Sequence, residues 1–517
     1  MLIQNSPGIE SSASSGKGLA TNKVGVLAGA VLSIASIAPA YTTTASLGLI
    51  VAAVGLKMPA LLIAGFIPMF LAAYAYREFN AETPDCGASF TWSARSLGPY
   101  VGWMAGWGSV IAVVIVLANI AAVGAEFLYL FAGKLVGSET IATLGDNKPI
   151  NIVTTLAFLA AAGWAAGRGI TSSERLQYVL VGFQLTVLLV FAGMALWKAL
   201  AGDAPSGLSF DIDWFDPFTG LTLGAFAMGL IGSVFLYWGW DTALTLGEEC
   251  KDPQRTPGRA GVLSILTVLG TYLLLAVSLM WYAGVGETGI GLGNPQTSDN
   301  VFGALAQPVL GGNGEILLYL AVLVSTIASL QATFLPAARA MLAMGTYRAL
   351  PSRFASVHPR YQVPRFTTAV AAVVAGGFYA LTALLSQHVL QDTIAALGIM
   401  ICWYYGLTAF ACVWYFRKRW FASGRDFLFK LLFPLLGGAM LLIIFAISVR
   451  ESLDPATGSG AEIFGIGLVF YLGFGILVLG AALMLVQRWR DPAYFRSRTL
   501  PRAVSGDPMP AVQAPTV

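Results

Sequence analysis

The sequence predicts an all-α integral membrane protein with twelve spanning helices, and three observations predict it. The chain's 517 residues are 57% hydrophobic and only 11% charged, with a mean hydropathy of +0.74. A soluble domain keeps about a quarter of its residues charged. Twelve apolar runs reach spanning length. Of the 29 Lys and Arg residues, all but Lys57, Lys134, Lys148, Lys198 and Arg450 fall on one side of the map those runs define.

The runs cover 25–54, 58–76, 100–131, 150–167, 176–199, 221–247, 261–284, 314–342, 366–385, 393–414, 427–447 and 463–486. About twenty apolar residues cross a bilayer core. These runs are too long for barrel strands, and helices satisfy every backbone group internally. The third and eighth exceed the bilayer thickness, so tilt is expected. Residues 1–22 are polar and Ser/Gly-rich without the apolar core of a signal peptide; they read as a disordered cytoplasmic N-tail. Residues 491–517 are Pro-rich and polar, a cytoplasmic C-tail. The basic bias places both termini in the cytoplasm, and an odd number of spans would scramble it. High Ala and Gly usage points to a bacterial plasma (inner) membrane.

Several functions are excluded. No Gly-x-x-x-x-Gly-Lys-Ser/Thr segment supports ATP binding, and no cofactor is implied. Cys86, Cys250, Cys402 and Cys412 have neither metal nor disulfide spacing. His358 and His388 fall in loops, which removes an intramembrane His relay. Arg417-Lys418-Arg419 reads as a topology anchor and not as a nucleic-acid site. Asp211, Asp213 and Asp216 read as a solvated outer face. No catalytic constellation assembles, so an enzyme is not expected.

Two spans are interrupted. The first carries Ser36-Ile37-Ala38-Pro39-Ala40-Tyr41-Thr42 at its middle, where Pro39 removes a backbone donor. The sixth carries Gly232-Ser233 and then Leu236-Tyr237-Trp238-Gly239-Trp240-Asp241-Thr242. The plain alternative is a packing kink in each. Breaks five spans apart, in corresponding places of two halves, point to a transporter site between inverted repeats.

Three stretches on the basic side then carry a resemblance. They are Pro84-Asp85-Cys86-Gly87-Ala88-Ser89-Phe90-Thr91-Trp92 with Leu97-Gly98-Pro99-Tyr100-Val101-Gly102-Trp103; Glu248-Glu249-Cys250-Lys251-Asp252-Pro253; and Arg339 with Met344, Leu350-Pro351, His358-Pro359-Arg360 and Pro364. In order and at these spans, they resemble the amino acid–polyamine–organocation superfamily of permeases. The resemblance implies a LeuT-like fold of five-plus-five inverted repeats over 23–414, with helices 1 and 6 discontinuous and two further helices in 415–490. It implies amino acids or related amines as substrates. The chain departs from relatives at Ile37-Ala38-Pro39-Ala40, where many carry a Gly-Ser-Gly type of break. Gln184 stands in the register of a span-five Lys, which weighs against a lysine-based proton mechanism. Val110 to Val114 stand where cationic carriers often hold a Glu, which weighs against cationic substrates.

The expected substrate site is Ser36, Ile37, Ala38, Pro39, Ala40, Tyr41 and Thr42 with Phe235, Tyr237, Trp238, Trp240, Asp241 and Asn119. Free N–H groups at the breaks suit a carboxylate and free carbonyls an ammonium. Phe235 holds the register of an aromatic gate in relatives. Tyr237, Trp238 and Trp240 offer ring faces to an amine, although all three cannot face one pocket. Trp403 and Tyr404 are weaker pocket candidates. The map leaves Asp241 and Glu126 as the acidic residues inside spans, and an ionisable group there is a functional candidate by default. Asp241 is the candidate for proton coupling, whereas Glu126 lies near a helix end and snorkels. Ser325, Thr326 and Ser329, with Thr333, form a candidate sodium site against ordinary small-residue packing. The expectation is a secondary transporter with proton symport, lying in the lipid bilayer. Exchange or sodium symport is the alternative within that class; a channel or non-transporting sensor is the alternative outside it.

Overall fold

In the computed structural model, residues 16–169, 174–386 and 388–506 are described. Ten helices among them are long and apolar enough to cross a membrane. In chain order the elements are α1 (Val26–Ile37), α2 (Pro39–Val54), α3 (Met58–Glu82), α4 (Ser89–Leu97), α5 (Pro99–Val136), α6 (Lys148–Ala166) and α7 (Glu174–Ala201). Next come α8 (Leu223–Leu236), α9 (Thr242–Thr245), α10 (Thr256–Ala283), α11 (Val301–Leu310), α12 (Gly314–Thr346), α13 (Arg365–Leu385) and α14 (Val389–Tyr415). Two more apolar helices, α15 (Gly424–Glu451) and α16 (Leu468–Arg490), close the bundle. The described strands are β1 (Glu462–Ile463) and β2 (Ile466–Gly467), an antiparallel pair in the register Glu462↔Gly467 and Ile463↔Ile466. Phe464 and Gly465 turn between them with positive φ, as a two-residue hairpin loop requires.

Burial sorts the helices. In α5 and α14, 89% and 83% of the most apolar stretch is buried, against 11% in α6. The first two therefore run through the protein core, and α6 faces outward. The long runs three and eight are single helices of 38 and 33 residues packed against each other. α1 and α2 meet at Ala38, and α8 gives way at Tyr237 to a non-helical stretch before α9.

Three expectations change. Chain from Lys17 onward is not a loose tail: Lys17 and Leu19 are buried, and Lys23 and Val24 donate backbone hydrogen bonds to Glu249 O. Tyr494, Phe495 and Leu500 are buried as well, so the C-tail packs until at least Leu500. These segments carry the apolar and charged anchors that a composition argument averages away; residues 1–15 and 507–517 lie outside the described ones. Asp241 and Glu126 are also not the only acidic residues enclosed. Glu315 is buried in the first turn of α12 and pairs with Lys134, and Asp392 is buried under Ser386 and Ser459. Each has a partner supplied by a distant segment.

Glu249 is held from α12 by Arg339, whose Nε lies 2.5 Å from its carboxylate. Arg339 is 1% exposed. Removing one member of a buried pair leaves an uncompensated charge, which costs about 3–5 kcal/mol, whereas an apolar pair of similar volume is close to neutral. Arg339→Met alone is therefore expected to lower the unfolding midpoint in detergent sharply. Combining it with Glu249→Leu should restore most of the loss. Equal losses in the single and double variants would show that the ion pair is not the source.

Candidate functional site

The two helix breaks lie against each other. Ala38 closes α1 in the left-handed conformation (φ 56°), and Pro39 begins α2, where its missing N–H costs nothing. Gly239 has φ +107°, and a Cβ there would stand 2.9 Å from Ile37 N and 3.0 Å from Ser36 C. Only glycine lets the backbones approach this closely. Ser33 joins them. Its hydroxyl donates to Trp240 O at 3.0 Å and accepts from Ala243 N–H at 3.1 Å, satisfying two backbone groups that the break in the sixth run frees.

No side chain caps the start of α2. Its first N–H groups lack intrahelical partners and carry the positive end of the helix dipole. The C-terminal end of α1 lies against Gly239 in the same region. Such a helix start suits an anionic group of a solute.

Side chains from four directions enclose it. Tyr41 and Phe235 meet edge to face at 6.4 Å between ring centroids. Tyr41 Oη and Asn119 Nδ2 are buried and face each other, with no other side-chain partner among the described groups. Asn119 Oδ1 accepts from Thr393 at 3.0 Å, which leaves its amide N–H groups for another partner. Thr42 bonds Tyr272 Oη at 2.6 Å and Ala38 O at 3.1 Å. Ile37, Ala38, Pro39 and Ala40 are buried at the break itself.

The aromatic trio after Phe235 diverges, as geometry demanded. Tyr237 turns away and donates to Leu62 O at 3.1 Å. Trp238 Nε1 donates to Tyr404 Oη at 2.5 Å. Trp240 packs against Tyr76 and Tyr405, with its Nε1 unpartnered among the described groups. Asp241 is 8% exposed. It borders a cavity of about 20 Å³ together with Trp238, Tyr404, Ser89 and Pro336, space for roughly one water. Tyr76, Tyr404 and Tyr405 are its electrostatic neighbours.

The hydroxyls of α12 divide. Ser36 and Ser329 both approach Thr333 Oγ1, at 3.3 and 3.5 Å. Ser325 Oγ is buried without a partner among the described groups. Thr326 donates to its own helix at Leu323 O and packs on Gly124 of α5, so it stands apart. Glu126 bonds Asn300 in the segment before α11 and is tied to that crossing segment, not to the breaks.

The profile of an amino acid permease family matches residues 24–479, nearly the whole chain. The chain belongs to this amino acid permease family. It is similar to the methylthioribose transporter of Bacillus subtilis, 25% identical over 64% of this chain and 69% of the relative. It is also similar to the serine/threonine exchanger SteT of the same species, 24% identical over 66% and 71%. The low-affinity putrescine importer PlaP of Escherichia coli is 23% identical over 75% and 79%. This chain is thus a multi-pass membrane permease and not an enzyme.

The two breaks are covered at both ends. At one end the segment before α11 crosses α2: Phe302 N–H donates to Thr44 Oγ1 at 3.0 Å, and a Cβ on Gly48 would strike the Ser298 backbone. At the other end, where the Lys17 and Leu500 segments pack, Lys17 reaches between loops. Its Nζ lies 2.8 Å from Asp85 and 2.6 Å from Glu248. Asp85 also accepts from Tyr347 Oη and Gly87 N–H, both at 2.8 Å, and Glu248 from Cys86 N–H at 2.9 Å. Asp85, Cys86 and Glu248 converge closely enough to ligate a metal, but the Lys17 ammonium already supplies their cation.

Burial alone would lower the Lys17 pKa. The facing Asp85, Cys86 and Glu248 groups outweigh it and hold the ammonium well above its usual 10.5. Burial likewise would raise Asp85, but Lys17 and the hydrogen bonds hold it below 3.8. Both charges therefore persist between these values. Their contribution disappears only as pH falls through the depressed Asp85 value or rises through the raised Lys17 value.

Sequence reasoning missed Ser33, Tyr272, Tyr405 and Lys17. A lone Ser, a Tyr in an apolar run and a Lys in a polar tail carry no periodic signal; only the contacts they make distinguish them. Lys17 gives a direct test. Cys86 is buried and its thiol is pushed well above 9.0, chiefly by burial. In a background lacking Cys250, Cys402 and Cys412, Lys17→Gln should speed maleimide labelling of Cys86 by about tenfold, the effect of about 1.4 kcal/mol in opening. Unchanged labelling would mean that Lys17 does not hold this end closed.

Proposed function

We propose that this permease is a secondary active transporter of amino acids or related amines, working by proton symport through Asp241. The observation that carries this reading is a buried carboxyl placed directly after a backbone break and beside a small cavity. A carboxyl held there exchanges its proton only when one end of the site opens. A solute ammonium nearby would favour its ionised form, which links solute and proton.

The rest of the architecture fits that reading. Dividing the Val26–Glu82 run into two passes, and taking Leu223–Thr245 as one broken pass, brings the ten long helices to twelve. Residues 23–414 then form the inverted-repeat core with discontinuous helices 1 and 6, and 415–490 the two added helices. The basic end with both termini faces the cytoplasm of a plasma (inner) membrane. A site covered at both ends suits alternating access and not a channel's continuous pore. Relatives that import putrescine or exchange serine and threonine support an amine-bearing solute.

A second coupling reading has its own support. The hydroxyls of Ser36, Ser329 and Thr333 converge beside Ser325, next to the carbonyl end of α1, and hard cations take such oxygen ligands. Sodium in that cluster is the alternative to Asp241.

Proteoliposome uptake of labelled amino acids and polyamines separates the two. Wild type should accumulate a solute under an inward proton gradient. Asp241→Asn should lose accumulation by at least about tenfold and keep counterflow exchange. Full accumulation by Asp241→Asn, lost instead in Ser329→Ala and dependent on sodium, would transfer coupling to the hydroxyl cluster.

A further inference from the structure

A groove of about 520 Å³ runs between α6 and α13 on the outward face of the bundle. Glycines shape it. A Cβ at Gly376 would stand 2.7 Å from Leu156 and one at Gly163 would stand 3.2 Å from Ala372, so the helices touch along one line. Gly377 has nothing within 4 Å and opens the cleft beside that line. The walls are apolar and uncovered: Trp164 is 59% and Val373 74% exposed. In a membrane protein this face meets lipid hydrocarbon.

The groove ends in cations. Arg365 lines it, and the Arg168 guanidinium sits 3.7 Å over the Trp164 ring. Arg353 lies over Phe366 at 4.6 Å, and Arg360 and Arg365 lie near the Tyr361 ring. Residues 316–391 contain no Asp or Glu. Arg339 and Arg348 of this stretch find carboxylates in distant segments. Among the described residues, no ion pair involves Arg168, Arg353, Arg360 or Arg365. The groove thus combines an apolar cleft with guanidinium groups at one mouth, at the end of the bundle where the Lys17 segment packs.

We propose that this groove binds one anionic phospholipid, with an acyl chain between α6 and α13 and the phosphate between Arg168 and Arg365. Guanidinium forks pair phosphate oxygens bidentately. Their stacking on Trp164 and Tyr361 holds them at headgroup depth and costs them little rotamer freedom on binding. A basic pocket between spanning helices on the basic side is a site for anionic headgroups. The bound lipid would brace α6, the least buried spanning helix, against α13.

The test uses full-length protein in detergent, titrated with phosphatidylglycerol or phosphatidylcholine of the same chains. Native mass spectrometry counts retained lipid and thermal unfolding reads the effect. Wild type should retain one phosphatidylglycerol and gain stability from it in preference to phosphatidylcholine. Arg168→Gln/Arg365→Gln should weaken that retention roughly 30-fold. Gly377→Phe, which fills the cleft with both arginines intact, should also lose it. Arg450→Gln, at the opposite end, should not. Unfolding midpoints in phosphatidylcholine alone establish that each variant is folded. Equal retention of the two lipids, or retention unchanged in both groove variants, would overturn the proposal. So would full stabilisation by inorganic phosphate, which would mark an anion site without lipid, or burial of the groove by a second copy of this chain.

Discussion

Inside a bilayer, a helix can be interrupted only where the protein replaces the hydrogen bonds that the interruption frees. Two interruptions meet in this chain, and much of the architecture follows from how they are satisfied. The Ser33 hydroxyl donates to Trp240 O and accepts from Ala243 N–H, and Gly239 brings its own backbone onto Ser36 and Ile37. The breaks are thus coupled: neither can shift without exposing polar groups of the other. The first turn of α2 has no side-chain cap, and Tyr41 and Asn119, which face each other, stand beside it.

The two ends of the site are closed by different chemistry. At the end where Lys17 packs, closure is ionic: Lys17 bridges Asp85 and Glu248, and Arg339 pairs with Glu249. At the other end it rests on hydrogen bonds and steric contact, with the start of α11 and the segment before it laid over α2 and bonded through Thr44, Asn300 and Glu126. Buried ion pairs are individually costly to assemble but strongly penalise partial opening. A carrier that opens its ends in turn gains from this asymmetry, because the barrier at each end is set by separate residues.

Hydropathy and charge made the helical membrane architecture legible. Of the five basic residues placed outside by counting alone, Lys57 bonds Asp213 O, Lys134 pairs with Glu315, Lys148 bonds Ser386 O and Lys198 bonds Pro308 O of α11. Pro39 and the Gly239 region marked the breaks because a missing donor and a missing Cβ leave a sequence trace. The partners of those breaks left none. Ser33 sits among small residues that suit any packed helix, and Tyr405 follows Tyr404 with nothing to rank them. The packed terminal segments were hidden for another reason: their low hydropathy reflects linkers around a few anchors, Lys17, Leu19, Tyr494 and Leu500. Periodicity reports which face is buried; it does not report which distant residue completes a polar group.

The central claim is that the two facing breaks form the substrate site, and Gly239 is where it is most exposed to test. Equilibrium binding of a labelled amino acid and polyamine panel to purified wild type and Gly239→Ala measures this directly. A Cβ at φ +107°, 2.9 Å from Ile37 N, should force the breaks apart and abolish binding of whichever solute the wild type binds, in a protein that remains folded and monodisperse. Wild-type affinity in folded Gly239→Ala would contradict the account.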